Sequence, residues 1–169
     1  MSSRQQLSEN FYLDEFLNSE TAIRCGIDMS ITLDGVIHAR LIHLVKTVLQ
    51  PLRDAFGAVT ITSGYRPLAL NKKINGATDS DHLYGLAADI RVAGRTPLEV
   101  AQWIRDNIEN FGQVINEYDS WVHVSVDSCF PVSLSKNQCL TALRIKSKTV
   151  YLDGLFNIKT ARQQYLTRG

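Results

Sequence analysis

The chain has 169 residues and a formal net charge of +1, with 44% hydrophobic and 21% charged residues. This size and balance are typical of one soluble globular domain and exclude a collagen-like or low-complexity protein. They also argue against a strongly basic nucleic-acid-binding domain, so we expect no nucleic-acid partner.

Membrane and export signals are missing from the sequence pattern. No apolar run approaches the ~18 residues that a transmembrane helix requires, and the first ten residues lack the apolar core of a Sec signal peptide. We therefore expect a protein made in the cytoplasm, with no transmembrane segment. Its three cysteines, Cys25, Cys129 and Cys139, have no metal-like spacing and favour a reducing compartment; a Cys129–Cys139 disulfide is a minor alternative.

Charge is uneven along the chain. Residues 130–169 carry seven Lys or Arg and one Asp or Glu. This basic stretch is either a solvated surface or an edge that faces an anionic polymer such as a bacterial wall or a nucleic acid. We expect a single domain over residues 1–155, including an N-terminal helical part, and a frayed basic tail over residues 156–169.

Apolar residues recur at three- and four-residue steps over residues 33–56, which predicts a long helix. Thr32 or Asp34 can cap its start, and Gly57 can end it. Pro51 lies inside the pattern, where we expect a kink or a break.

The later elements are mostly strands. Residues 58–63 and 86–92 are predicted to be short strands. A helix over residues 97–109 begins in a capping box, Thr96-Pro-Leu-Glu99. Two hairpins follow, which pair residues 112–118 with 121–126 and residues 139–144 with 149–152. This order predicts an α+β fold with a small, mostly antiparallel sheet flanked by helices.

Histidine and acidic residues form the most informative constellation. A catalytic zinc site needs about three protein ligands and an open position for water. His82 and Asp89 flank a glycine turn, and His123 lies in a later strand whose alternation turns it to the same side as Trp121. Neighbouring antiparallel strands would bring these ligands together. The same ligand set would also suit a non-haem iron centre.

Two carboxylates compete for the role of general base. Glu117 ends a strand six residues before His123 and can face the same cleft, whereas Asp119 lies at the turn tip. Arg66 is the natural anchor for a substrate carboxylate or an oxyanion.

Single histidines are more often structural than metal-binding. His38 and His43 are five residues apart on the long helix and so lie on different faces. We interpret both as structural or surface residues.

Taken together, these residues resemble the zinc D-Ala-D-Ala carboxypeptidase family of bacterial cell-wall peptidases, whose fold is shared with the hedgehog signalling domain. The family pattern is S-G-Y-R, then S-x-H, six residues, D, and a later Trp-x-His strand. It appears here as Ser63-Gly-Tyr-Arg66, Ser80-Asp-His82, Asp89 and Trp121-Val-His123. The resemblance covers about residues 7–155 and includes segments like those of the phage and bacterial branch.

The resemblance implies zinc held by His82, Asp89 and His123. Many members have an acidic residue three before the last ligand, where this chain has Ser120; the hedgehog-like spacing E-x5-H gives the role of general base to Glu117. A further implication concerns the substrate contacts, which are Arg66, Ser80 and Tyr65.

The implied activity is hydrolysis of an amide bond next to a D-amino acid in peptidoglycan stems, by a carboxypeptidase or an endopeptidase. The alternative is a catalytically inactive, zinc-stabilised binding or structural module, because hedgehog domains use the same site without that role. We expect a monomer that acts on the cell wall after release, as a phage lysis enzyme, or as part of a virion. A cytoplasmic enzyme that trims muropeptides is a further possibility.

Overall fold

Helices dominate the first half of the chain, and most strands follow. The computed structural model describes residues 4–127 and 136–167. The α-helices are α1 (Leu13–Leu17), α2 (Glu20–Cys25), α3 (Val36–Leu44), α4 (Gln50–Phe56), α5 (Leu68–Lys73), α6 (Pro97–Asn107) and α7 (Ile158–Thr167). The strands are β1 (Val59–Ser63), β2 (Ala87–Val92), β3 (Gln113–Glu117), β4 (Trp121–Ser125), β5 (Gln138–Ile145) and β6 (Lys148–Asp153).

The six strands of the described residues form one sheet in the order β1-β2-β4-β3-β5-β6. The predicted α+β class and both predicted hairpins, β3–β4 and β5–β6, are confirmed. Strands β3 and β5 run parallel, whereas the other described neighbours are antiparallel. The parallel pair follows from the connection: β4 ends beside the start of β3, so a strand that begins there and pairs with β3 must run in the same direction.

The two faces of the sheet have different surroundings. On one face, Ile90, Val114, Val122 and Val124 are buried in the main core with residues of α3, α4 and α6. Because side chains alternate along a strand, their neighbours Asp89, Ile115, Glu117 and His123 lie on the opposite face. Residues of that face line a cleft of about 580 Å³.

The long helix predicted over residues 33–56 forms as α3, a π-helical turn over Val45–Leu49, and α4. The irregular turn ends two residues before Pro51, which lacks an N–H and crowds the carbonyl four residues earlier, so the predicted disruption is confirmed. Gly57 ends α4, as predicted.

The predicted helix cap at Thr32 or Asp34 is wrong. Gly35 occupies the N-cap position of α3, and no side chain caps it. Asp34 has a positive φ of 62°, and its backbone N–H donates to Nδ1 of His38 at 3.1 Å. His38 is therefore a buried structural residue, as predicted, and His43 lies exposed on α3.

The capping box of α6 is confirmed in both directions. The backbone N–H of Glu99 donates to the Thr96 hydroxyl at 3.2 Å, and the Thr96 N–H donates to the Glu99 carboxylate at 2.7 Å. This box satisfies two N–H groups at the helix start that would otherwise lack partners.

The region expected to be a frayed basic tail contains helix α7. Ala161 of α7 is fully buried and packs with Leu143 of β5 and Leu152 of β6. The carboxylate of Asp119 accepts a hydrogen bond from the backbone N–H of Ile158 at 2.9 Å, which holds the helix start. Burial of a few apolar residues thus outweighs the polar composition of this segment.

Two further predictions concern the cysteines and membrane-spanning segments. No disulfide joins the two described cysteines, Cys25 and Cys139; Cys129, and with it the alternative Cys129–Cys139 disulfide, lies outside the described residues. No described helix is both long and apolar enough to cross a membrane.

Gly64 has no room for a side chain. A Cβ at this position would lie 2.6 Å from the Cα of Phe16, a fully buried residue of α1. We expect Gly64→Ala to lower the free energy of unfolding by about 1–3 kcal/mol, because the backbones must separate. Gly94→Ala is the control: Gly94 has a positive φ but open space, and strain alone should cost less. Equal losses in urea denaturation would contradict the packing argument.

Candidate active site

Strand register brings Asp89 and His123 together. Asp89 of β2 lies directly opposite His123 of β4, and Ile115 of β3 lies on the other side of His123. Residues that are opposite each other in an antiparallel pair present their side chains on the same face of the sheet. The nearest carboxylate oxygen of Asp89 is 3.0 Å from Nδ1 of His123.

The 3₁₀ turn over Asp81–Tyr84 supplies the third member, His82. Its Nδ1 lies 2.7 Å from the carbonyl oxygen of Gly64, which can only accept a hydrogen bond, so Nδ1 carries the proton. The backbone N–H of Arg66 in turn donates to the His82 carbonyl at 3.0 Å. These two contacts orient the ring and leave Nε2 as the lone-pair atom.

One potential metal-ligand atom from each of these three residues lies at a corner of a small triangle. Nε2 of His82 lies 3.2 Å from Nδ1 of His123 and 3.2 Å from the same oxygen of Asp89. All three side chains are buried, with 1%, 7% and 8% exposure for His82, Asp89 and His123. A neutral His82 would direct its lone pair at two other electron-rich atoms, which is unfavourable unless a cation lies among them.

Burial and charge act in opposite directions on this group. Burial lowers the pKa of His82, which keeps the ring neutral and able to bind a metal. For Asp89, burial alone would raise the pKa, but the neighbouring imidazoles of His82 and His123 outweigh burial and hold the pKa well below its usual range. Asp89 is therefore an ionised ligand candidate.

The donor set fits a zinc ion. Two imidazole nitrogens and one carboxylate oxygen are ligands of catalytic zinc, and three protein ligands leave a coordination position open. Ligand atoms placed tetrahedrally at ~2.1 Å from zinc are about 3.4 Å apart, close to the separations of 3.0–3.2 Å found here.

Arg66 holds the second oxygen of Asp89. One terminal nitrogen of its guanidinium donates to that oxygen, and its Nε donates to the Ser63 hydroxyl at 2.8 Å. Contacts of this kind orient a metal-binding carboxylate. Arg66 also lines the cleft and so borders the space where a substrate would lie.

Glu117 lines the same cleft as the metal-binding candidates. It lies opposite Trp121 at the end of the β3–β4 pair, two residues along β3 from the neighbour of His123. Burial raises the pKa of Glu117, and the negative charge of Asp89 adds to the effect. A carboxylate with a raised pKa accepts and returns protons more readily near neutral pH.

The comparisons with known proteins agree with this geometry. A family model described as peptidase M15 matches residues 9–125, which is more than half of the chain. The chain belongs to the peptidase M15 family. The match runs from the segment before α1 to the end of β4 and so includes Arg66, Glu117 and the three metal-binding candidates.

A zinc D-Ala-D-Ala carboxypeptidase from Streptomyces albus G is also similar to this M15 chain. The two are 33% identical over 87 residues, which are 50% of this chain and 34% of the relative. The match therefore spans about a third of the length of that protein.

The other residues predicted for the site of this M15 chain differ in whether they reach the cleft. Ser80 lines the cleft, whereas Tyr65 is half-buried outside the cleft lining. Asp119, the competing base, is held away from the cleft: its two oxygens accept hydrogen bonds from the Asn116 side chain and from the start of α7. Positive φ angles at Tyr118 and Asp119 turn the chain in this direction.

Sequence reasoning missed one wall of the cleft. Tyr118 and the β5–β6 hairpin contribute to it, with Arg144, Thr149 and Tyr151 as the hairpin residues. The hairpin lies beyond the range that the M15 model matches. The register that pairs β5 with β3 places the hairpin side chains at the cleft. In the sequence, this position was indicated only by the alternation of side chains along β5 and β6.

Proposed function

We propose that this protein is a zinc-dependent peptidase that hydrolyses an amide bond next to a D-amino acid in peptidoglycan stem peptides. The observation that carries the proposal is the buried His82–Asp89–His123 triangle with Glu117 in the same cleft. Membership of the M15 family supports a peptidase, and the name of the Streptomyces albus G relative supports zinc and a D-Ala-D-Ala substrate.

In this proposal His82, Asp89 and His123 hold the zinc ion. When bound, zinc supplies Lewis-acid activation of water and of the substrate carbonyl at neutral pH. Glu117 accepts the proton from the attacking water and later donates it to the leaving amine. The raised pKa of Glu117 suits it to both transfers.

Arg66 has two roles in the proposed reaction. Its bond to Asp89 orients that ligand, and its remaining N–H groups bind a substrate carboxylate or the developing oxyanion in the cleft that Arg66 lines. Ser80 is the second proposed substrate contact, since it lines the cleft. Tyr65, the third predicted substrate contact, lies outside the cleft lining.

The decisive experiment measures metal content and muropeptide digestion together, with products identified by mass spectrometry. We expect about one zinc per chain and hydrolysis that a chelator abolishes and zinc restores. Loss of one terminal alanine would identify a carboxypeptidase, and two peptide fragments would identify an endopeptidase. Bound zinc without cleavage of any stem peptide would overturn the peptidase and favour a zinc-stabilised binding module.

A further inference from the structure

An aromatic and cationic row extends from the β4 side of the cleft to β5. The rings of Trp121 and Tyr118 pack edge to face, with their centroids 5.5 Å apart. The guanidinium of Arg144 lies over the Tyr118 ring at 5.5 Å from its centroid. All three residues line the cleft.

Contacts of Tyr118 with the β5–β6 hairpin hold its ring beside Arg144. The Tyr118 hydroxyl lies 2.7 Å from the hydroxyl of Thr149 on β6, so the ring is tied to the hairpin that carries Arg144. Tyr118 also donates its backbone N–H to the Ala142 carbonyl on β5 at 3.1 Å. A cation held over such a fixed ring loses less conformational entropy when it binds an anion.

Arg144 differs from the other arginine of the cleft in its partners. Arg66 is engaged by Asp89, whereas no described carboxylate lies within ion-pair distance of Arg144. Asp79 and Asp81 line the cleft too, but they belong to the loop and turn around His82 rather than to the β5–β6 hairpin. The N–H groups of Arg144 are therefore available to an anionic ligand.

Strand register places Arg144 away from the metal-binding candidates. His123, Ile115 and Leu140 lie at one level of neighbouring strands, and Arg144 is four residues beyond Leu140. Standard strand dimensions make the His123 and Arg144 backbones about 16 Å apart. Strand side chains stand roughly perpendicular to the sheet, so much of this separation persists at their tips. A group bound by Arg144 would therefore lie several residues from a bond cleaved beside the metal-binding candidates.

We propose that Arg144 forms a carboxylate subsite that selects peptide substrates with an acidic group several residues before the cleaved bond. This inference rests on the proposed function for the identity of the ligand as the peptide substrate. The planar guanidinium pairs with a carboxylate through two N–H groups, which a carboxamide cannot match.

The test measures binding without turnover. The zinc-loaded Glu117→Gln protein is titrated calorimetrically with synthetic peptides that end in D-Ala-D-Ala. Each peptide carries one Glu, or Gln in the matched partner, at two, three or four residues before that end. At one position we expect the Glu peptide to bind about five- to tenfold more tightly than the Gln peptide.

Adding Arg144→Gln to the same protein should remove this preference. The matched control is Lys148→Gln, which removes an exposed positive charge from the same hairpin outside the cleft lining and should keep the preference. Thermal unfolding of each variant verifies that it is folded. A preference that survives Arg144→Gln, equal binding of every Glu and Gln pair, or no binding of either peptide would overturn the subsite.

Hydrolysis by the wild-type protein separates this inference from the proposed function. Cleavage of the Gln peptides with no Glu preference at any position would overturn the subsite and leave the peptidase standing. An Arg144-dependent Glu preference in binding, with no hydrolysis of any peptide, would support the subsite and count against the peptidase.

Discussion

Glu117→Gln is expected to reduce hydrolysis by about 10²- to 10⁴-fold while the protein keeps its zinc. The amide has nearly the shape of the carboxylate but cannot accept the proton of the attacking water. Glu117 makes no side-chain hydrogen bond to a described residue, so the fold should tolerate the change. The measurement is the initial rate of product formation, followed by mass spectrometry, with metal content determined on the same samples.

Asp119→Asn is the matched control for this prediction. Asp119 is two residues away along the chain, but its carboxylate binds Asn116 and the start of α7 rather than the cleft. We expect a near-wild-type rate, with at most a small loss of stability. If Asp119→Asn abolishes hydrolysis and Glu117→Gln does not, the assignment of the base is reversed.

His123→Ala is expected to remove high-affinity zinc binding. Loss of contacts that merely orient a ligand costs about 10- to 100-fold in metal affinity, so loss of one of three ligands should cost more than about 100-fold. The wild-type protein should unfold at a higher temperature when zinc is added, because a ligand that binds the native state stabilises it. The variant should show neither this shift nor hydrolysis.

Zinc titration with thermal unfolding and metal analysis of dialysed protein measure this effect. His43→Gln is the control, since His43 is an exposed histidine on α3. It should retain the zinc content and the thermal shift of the wild-type protein. Full zinc content in His123→Ala would show that the ion is held elsewhere.

Local sequence patterns predicted those elements whose contacts are close along the chain. The capping box of Thr96 and Glu99 starts α6 because its two hydrogen bonds join residues three apart. Both hairpins were predictable for the same reason, since a short turn limits how two alternating strands can pair.

Segments with weak local preference were harder to predict. Helix α7 has a polar, basic sequence, and its position depends on packing with Leu143 and Leu152 and on Asp119, which lies 39 residues before Ile158. The prediction of a side-chain cap for α3 was wrong for a related reason. Buried His38 accepts the Asp34 N–H, and this contact replaces the side-chain cap that composition favoured.

The sequence by itself determined the chemistry available to this protein. His82 and Asp89 flank a glycine turn, and His123 and Glu117 share a hairpin, so the types and spacing of the candidate metal ligands and of the candidate general base are readable from the chain. Only the tertiary structure decided their relative positions. Pairing of β2 with β4 put Asp89 opposite His123, and the contacts of Asp119 with Asn116 and α7 left Glu117 in the cleft. The parallel pairing of β5 with β3 brought Arg144 to the same cleft. Such long-range contacts depend on the burial of a whole sheet face, which no local pattern encodes.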